Sequence, residues 1–80
     1  MPLTFQPVVL AGNFGDEEAV LAFADGRLVA IFSKLGPAHG PQAGRWFLEK
    51  GFGPLAERDQ HTFEDLGSVG DWIKASGAEA

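Results

Sequence analysis

The dipeptide Asp25-Gly26, set between two largely apolar runs (Ala19 to Ala24 and Arg27 to Phe32), constrains this chain more than any other feature. Asp-Gly accommodates the two successive positive φ values of a type I′ turn, whose twist matches that of the flanking strands. The runs therefore predict a β-hairpin. A two-residue turn also predicts a register, placing Ala24 opposite Arg27, Phe23 opposite Leu28, Ala22 opposite Val29, Leu21 opposite Ala30 and Val20 opposite Ile31.

Side chains alternate across a strand, so that register sorts the hairpin into two faces. One would carry Leu21, Phe23, Leu28, Ala30 and Phe32, the other Val20, Ala22, Ala24, Val29 and Ile31. Both are apolar, whereas a half-solvated antiparallel sheet shows polar residues at alternate positions. The hairpin is expected to be covered on both sides.

After the hairpin, Leu35 to Gly44 holds three glycines and two prolines in ten residues, which predicts an irregular loop rather than regular structure. A loop of that length is either a mobile surface excursion or a functional one. Arg45 to Lys50 reads as the next strand, with Trp46 and Leu48 on one face and Phe47 and Glu49 on the other; Gly51-Phe52-Gly53-Pro54 ends it. His61-Thr62-Phe63 is a short further strand candidate. Leu66, Val69 and Ile73 at i, i+3 and i+7, widened by Trp72, predict a helix. Asp65 is its N-cap candidate, Ser68 and Asp71 offer a later capping box, and Gly77 is a natural stop. Gly67 and Gly70 weaken that helix by roughly 1 kcal/mol each, so it depends on docking, and they either permit close approach to the sheet or are simply weak points.

Before the hairpin, residues 1–12 supply a candidate edge strand around Pro7 to Gly12. Phe5, Phe14, Phe23 and Phe32 recur every nine residues, a spacing that one strand plus one turn produces without any repeat. The expected fold class is α+β: a small antiparallel meander of three to four strands packed against one C-terminal helix, with residues 75–80 as a fraying tail. One helix covers one face. The other would be closed by the N-terminal segment, by sheet curl or by another chain, and for one 80-residue domain without cysteine a homodimer is the expected solution, through the open face or an edge strand.

Composition limits function more than it defines it. The chain carries 6 basic and 11 acidic residues, a formal charge of -5 that repels phosphate. Arg27, Lys34, Arg45, Lys50, Arg58 and Lys74 are spread along the chain, although the pairs bracketing two strands would allow a local basic strip on the sheet. Trp46, Phe47 and Phe52 would then be a base-stacking platform, a reading the charge disfavours. No basic leader and no apolar run of membrane-spanning length is present, which points to a cytoplasmic protein without membrane association.

Catalytic patterns are sparse. His39, in the glycine- and proline-rich loop, and His61 have no second histidine at metal-ligand spacing, and a lone loop histidine is ordinarily solvated. Ser33, Ser68 and Ser76 sit in no nucleophile-elbow context, and no Walker or Rossmann glycine pattern occurs, so no catalytic, cofactor or metal residue is assigned. Asp16-Glu17-Glu18 offers oxygens to a hard cation but lacks the alternating ligands of a calcium loop; a solubilising cluster explains it. The helix dipole accounts for Glu64, Asp65 and Asp71.

Three strands followed by a helix, with Gly51-Phe52 after the third strand and Asp71-Trp72-Ile73-Lys74-Ala75 at the helix end, resembles the small arm-type DNA-binding domain of tyrosine integrases, without that family's lysine-rich strands. The same layout, with glycine-preceded Arg45-Trp46, resembles the MbtH-like accessory proteins, without their Ser-Leu-Trp-Pro and Trp-Thr-Asp-Met-Arg-Pro motifs. Neither layout carries a function over. The reading that follows from the residues is a small non-enzymatic protein–protein interaction or accessory domain, with Trp46, Phe47 and Phe52 as contacts, Trp46 serving equally well as core. The alternative is a small-molecule-binding domain or minimal enzyme with an inter-subunit site, the loop acting as a lid and His39 facing the cleft.

Overall fold

The computed structural model describes residues 3–11, 17–56 and 62–76, with the backbone alone at Ala38, His39 and Pro54. Five antiparallel strands form a meander in the order β1-β2-β3-β4-β5, followed by one helix, α1, packed against the sheet. The strands are β1 (Leu3–Leu10), β2 (Glu17–Ala24), β3 (Arg27–Lys34), β4 (Trp46–Gly51) and β5 (Thr62–Phe63); α1 is Leu66–Ala75. The fold is α+β. The N-terminal segment is a full edge strand, paired with β2 from Leu3↔Ala24 to Leu10↔Glu17. It lies in the sheet and so does not close a face.

The hairpin turn is as its sequence requires: Asp25 has φ 54° and Gly26 φ 78°, the two left-handed residues of a type I′ turn. The register next to it also matches, with Ala24 opposite Arg27 and Phe23 opposite Leu28. Beyond that point the uninterrupted register is corrected. Ala22 pairs with Ala30, Leu21 with Ile31 and Val20 with Phe32, leaving Val29 as an extra residue in β3. Such a bulge shifts every later side chain of its strand by one place, so it exchanges faces. Val20, Ala22, Ala24, Ala30 and Phe32 consequently form one buried face, and Leu21, Phe23, Leu28 and Ile31 point the other way, each half-buried. Phe5 and Phe32 are core-facing and Phe23 is not, which leaves the nine-residue spacing without a common role.

A second irregularity between β3 and β4 pairs Ile31 with Lys50 and Phe32 with Leu48, leaving Glu49 as the extra residue. The core lies between the alanine-rich sheet face and α1. Phe32 meets Phe63 and Trp72 edge-on at 5.7 and 6.4 Å between ring centroids, and Leu48, Leu55, Val69 and Ile73 complete the packing. The small side chains of Ala22, Ala24 and Ala30 leave room for these larger ones. Gly51, paired with Ala30, shows how close the approach is: a Cβ there would stand 2.2 Å from the carbonyl oxygen of Leu55.

Asp65 caps α1. Its carboxylate accepts a 2.8 Å hydrogen bond from the backbone N–H of Ser68, and that bond, helped by the Ser68 hydroxyl, holds the Asp65 pKa below its ordinary value. Of the two helix glycines, Gly70 is buried and faces Leu3 of β1, whereas Gly67 is exposed. The stop expected at Gly77 lies outside the described residues; the helix ends with Ser76 at its C-cap, whose hydroxyl donates to the Ile73 carbonyl at 2.6 Å. No described helix is long and apolar enough to cross a membrane.

Candidate functional site

The segment expected to be irregular is instead turned. Pro37–Gln42 winds as two short 3₁₀ turns, each opened by a proline and joined through Gly40 at φ 57°, ψ -121°, a conformation open mainly to glycine. Its neck is closed by backbone bonds. Leu35 N–H donates to Arg45 at 2.8 Å, and Gly44 N–H donates back to Leu35 at 2.7 Å, which continues the β3–β4 ladder by one step. Arg45 braces the neck against β5. Its Nε donates to Thr62 Oγ1 at 3.0 Å, and that hydroxyl donates to Gln42 Oε1 at 3.2 Å.

This loop end borders an open depression of about 340 Å³ lined by Glu17, Leu35, Gln42, Phe47, Glu49 and Thr62. Beneath it Ser33 is fully buried, and its hydroxyl donates to Glu49 Oε2 at 2.5 Å. Ser33 is thus held by a carboxylate and closed off from solvent. It positions Glu49 and is not placed to attack a substrate.

Glu17 and Glu18 are neighbours in an extended strand and so point to opposite faces. Glu17 lines the depression, while Glu18 lies 3.8 Å from Lys34 in an exposed ion pair of little energetic weight. Those two carboxylates cannot converge on one cation; Asp16, the third member of the cluster, lies outside the described residues. Among the described residues no group of three His, Asp or Glu side chains is arranged to hold a metal ion.

The three aromatic contact candidates do not form one surface. Trp46 is 8% exposed and belongs to the core. Phe47, its neighbour in β4, points to the opposite face and lines the depression. Phe52 is half-buried at the far end of β4, where its N–H donates to the carbonyl of the bulged Val29 at 2.9 Å and Lys50 Nζ stands 5.4 Å from its ring centroid. The backbone of His39 lies in the 3₁₀ segment, its side chain outside the description, and His61 lies outside the described residues.

The larger feature is the sheet face on which the depression sits. Register places Gln6, Leu21, Ile31 and Lys50 in one row across β1 to β4, with Thr4, Phe23 and Leu28 toward the hairpin and Val8, Ala19, Ser33 and Phe47 toward the loop. Helix α1 and the 3₁₀ turn Gly53–Leu55 pack on the other side, and none of these residues joins the buried core cluster. Leu21, Phe23, Leu28 and Ile31 were legible as buried-type residues, but not as one surface, because the bulge at Val29 is what groups them. Comparison of the chain with protein-family models, curated proteins and solved structures finds no match.

Proposed function

We propose that this chain is a small non-enzymatic protein–protein interaction or accessory domain that works as a homo-oligomer through the open sheet face. One observation carries the reading: Leu21, Phe23, Leu28, Ile31 and Phe47 lie half-buried on the face away from α1, outside the buried core cluster, and only the loop end of that face is bordered by the 3₁₀ segment. An apolar centre within a polar surround is the composition of a protein-binding surface. Of the three contact candidates, Phe47 belongs to this surface, while Trp46 is buried in the core on the other side of the sheet and Phe52 is half-buried just beyond the end of β4. The net charge of -5, with Glu17 and Glu49 among its carboxylates lining the depression on this face, weighs against nucleic acid. Sedimentation equilibrium from low to high micromolar concentration tests the reading. A mass above 8.5 kDa that rises with concentration supports it, and a persistent 8.5 kDa monomer overturns it.

The depression supports a second reading, a small-molecule site. Its volume falls within the usual range for ligand pockets, roughly 300–1,000 Å³, and the 3₁₀ loop supplies part of its wall through Leu35 and Gln42. Stabilisation against heat by members of a metabolite panel, lost in Phe47→Ala, favours this reading; no stabilisation by any compound removes it.

A further inference from the structure

The homo-oligomer reading leaves the arrangement of the copies on the open face undefined. Strand edges are the usual alternative surface for self-association, and both are blunted here. β1 carries Pro7 at mid-strand, paired with Val20 in an unbroken ladder. Proline has no N–H to give, so its nitrogen faces the outer edge, where it removes a donor that an added strand would need. The opposite edge, β5, is two residues long.

The face, by contrast, approaches the size of a small interface. Strands of eight, eight, eight, six and two residues, at about 3.3 Å per residue and about 4.8 Å between strands, describe a flat projection of roughly 500 Å². The accessible surface of such a corrugated face exceeds its projection, and standard interfaces begin at about 600 Å² from each partner. The centre is Leu21 and Ile31, flanked in the same row by Gln6 and Lys50, which is an apolar centre with a polar rim. Two such faces pack as aligned sheets about 10 Å apart, and a two-fold axis makes one patch complementary to itself.

Charge selects the orientation. Glu17 and Glu49 lie together at the loop end, so stacking loop end on loop end would bring two pairs of carboxylates into one interface. With the two-fold axis across the strands, each loop end lies instead over the partner's hairpin end, which carries Thr4, Phe23 and Leu28.

We propose that a second copy of this chain covers the open face, sheet on sheet, with loop end over hairpin end; this rests on the homo-oligomer reading above and specifies how the two copies stack. The test is light scattering combined with cross-linking. The wild type is expected at twice 8.5 kDa, and Ile31→Lys is expected to raise the dimer dissociation constant at least tenfold while leaving the far-ultraviolet circular dichroism intact. Should Ile31→Lys lose that signal, the milder Leu21→Gln carries the same comparison. A dimer that both substitutions leave unchanged overturns the stacking and leaves the homo-oligomer standing. A monomer at every concentration overturns both. Because the chain has no cysteine, introduced thiols report cleanly. A Thr4→Cys/Glu17→Cys double variant is expected to cross-link into dimers with a short bismaleimide; efficient cross-linking by Glu17→Cys alone overturns the orientation.

Discussion

The two faces of the sheet are built from different residues and solve different problems. The covered face is floored by Ala22, Ala24 and Ala30, and the bulk comes from Phe32 and from the elements laid over it, Leu55, Val69 and Ile73. The open face has Leu21, Phe23, Leu28 and Ile31 at the corresponding positions, each half-buried and outside the buried core cluster. Small residues let a helix approach closely. Cover on the first face is also incomplete: Val9, at the loop end of β1, remains 69% exposed. What separates the covered face from the open one here is which side a single inserted residue sends each side chain to.

The sharpest way to break the comparison is to truncate one residue on each side. Phe32→Ala is expected to cost about 3–5 kcal/mol, enough to unfold much of an 80-residue domain, because a fully buried ring is replaced by a cavity. Ile31→Ala, its neighbour on the open face, is expected to cost less than about 1.5 kcal/mol in dilute solution, rising with protein concentration if a partner covers it. Urea unfolding at two concentrations measures both, and equal costs at high dilution would erase the distinction between the faces.

Gly51→Ala probes the covered side through the backbone. With only 2.2 Å between a new Cβ and the Leu55 carbonyl oxygen, the 3₁₀ turn must move off the sheet, and a loss of about 3 kcal/mol is expected in the same experiment. Gly70→Ala runs in the opposite direction. Its Cβ would lie 3.5 Å from Leu3 Cδ2, an ordinary contact, so the helix preference of alanine is retained and stability rises by roughly 0.5–1 kcal/mol. A loss there would show that the helix sits closer to β1 than this contact allows.

The smallest expected effect concerns the start of the covering helix. Asp65 has a folded pKa below its ordinary value, so its capping contribution is complete above the unfolded pKa near 3.8 and is lost as pH falls through the folded value. Thermal melts of Asp65→Ala should lie a few degrees below wild type at pH 7, with the gap narrowing as the pH is taken below 4. A gap that stays constant in acid would mean that the carboxylate is not the capping group.

Features that depend on neighbouring residues were legible in the chain. Asp25-Gly26 specifies its turn because two adjacent positive φ values exclude most other pairs, and Asp65 marks the helix start because its carboxylate reaches an N–H three residues on. Alternation in Trp46 to Glu49 separates Trp46 and Leu48 from Phe47 but leaves open which side is inside; the structure buries Trp46 and Leu48. The loop departs from the sequence pattern: glycine and proline do not only break structure there, since Pro37 and Pro41 each begin a 3₁₀ turn and Gly40 permits the kink between them.

By itself, then, the sequence determined the hairpin, the helix and its cap, and the two-layer α+β class, since each rests on torsional preferences or on a period within a few residues. The bulges at Val29 and Glu49, the grouping of Leu21 and Ile31 on one surface, and the pairing of buried Ser33 with Glu49 were decided by the tertiary structure alone. Nothing in its residue type marks Val29 as an inserted residue, since β-branched valine favours regular strand. It becomes the inserted residue because displacing it brings Ala30 and Phe32 onto the face where α1 docks, a gain that exists only once strands and helix are assembled.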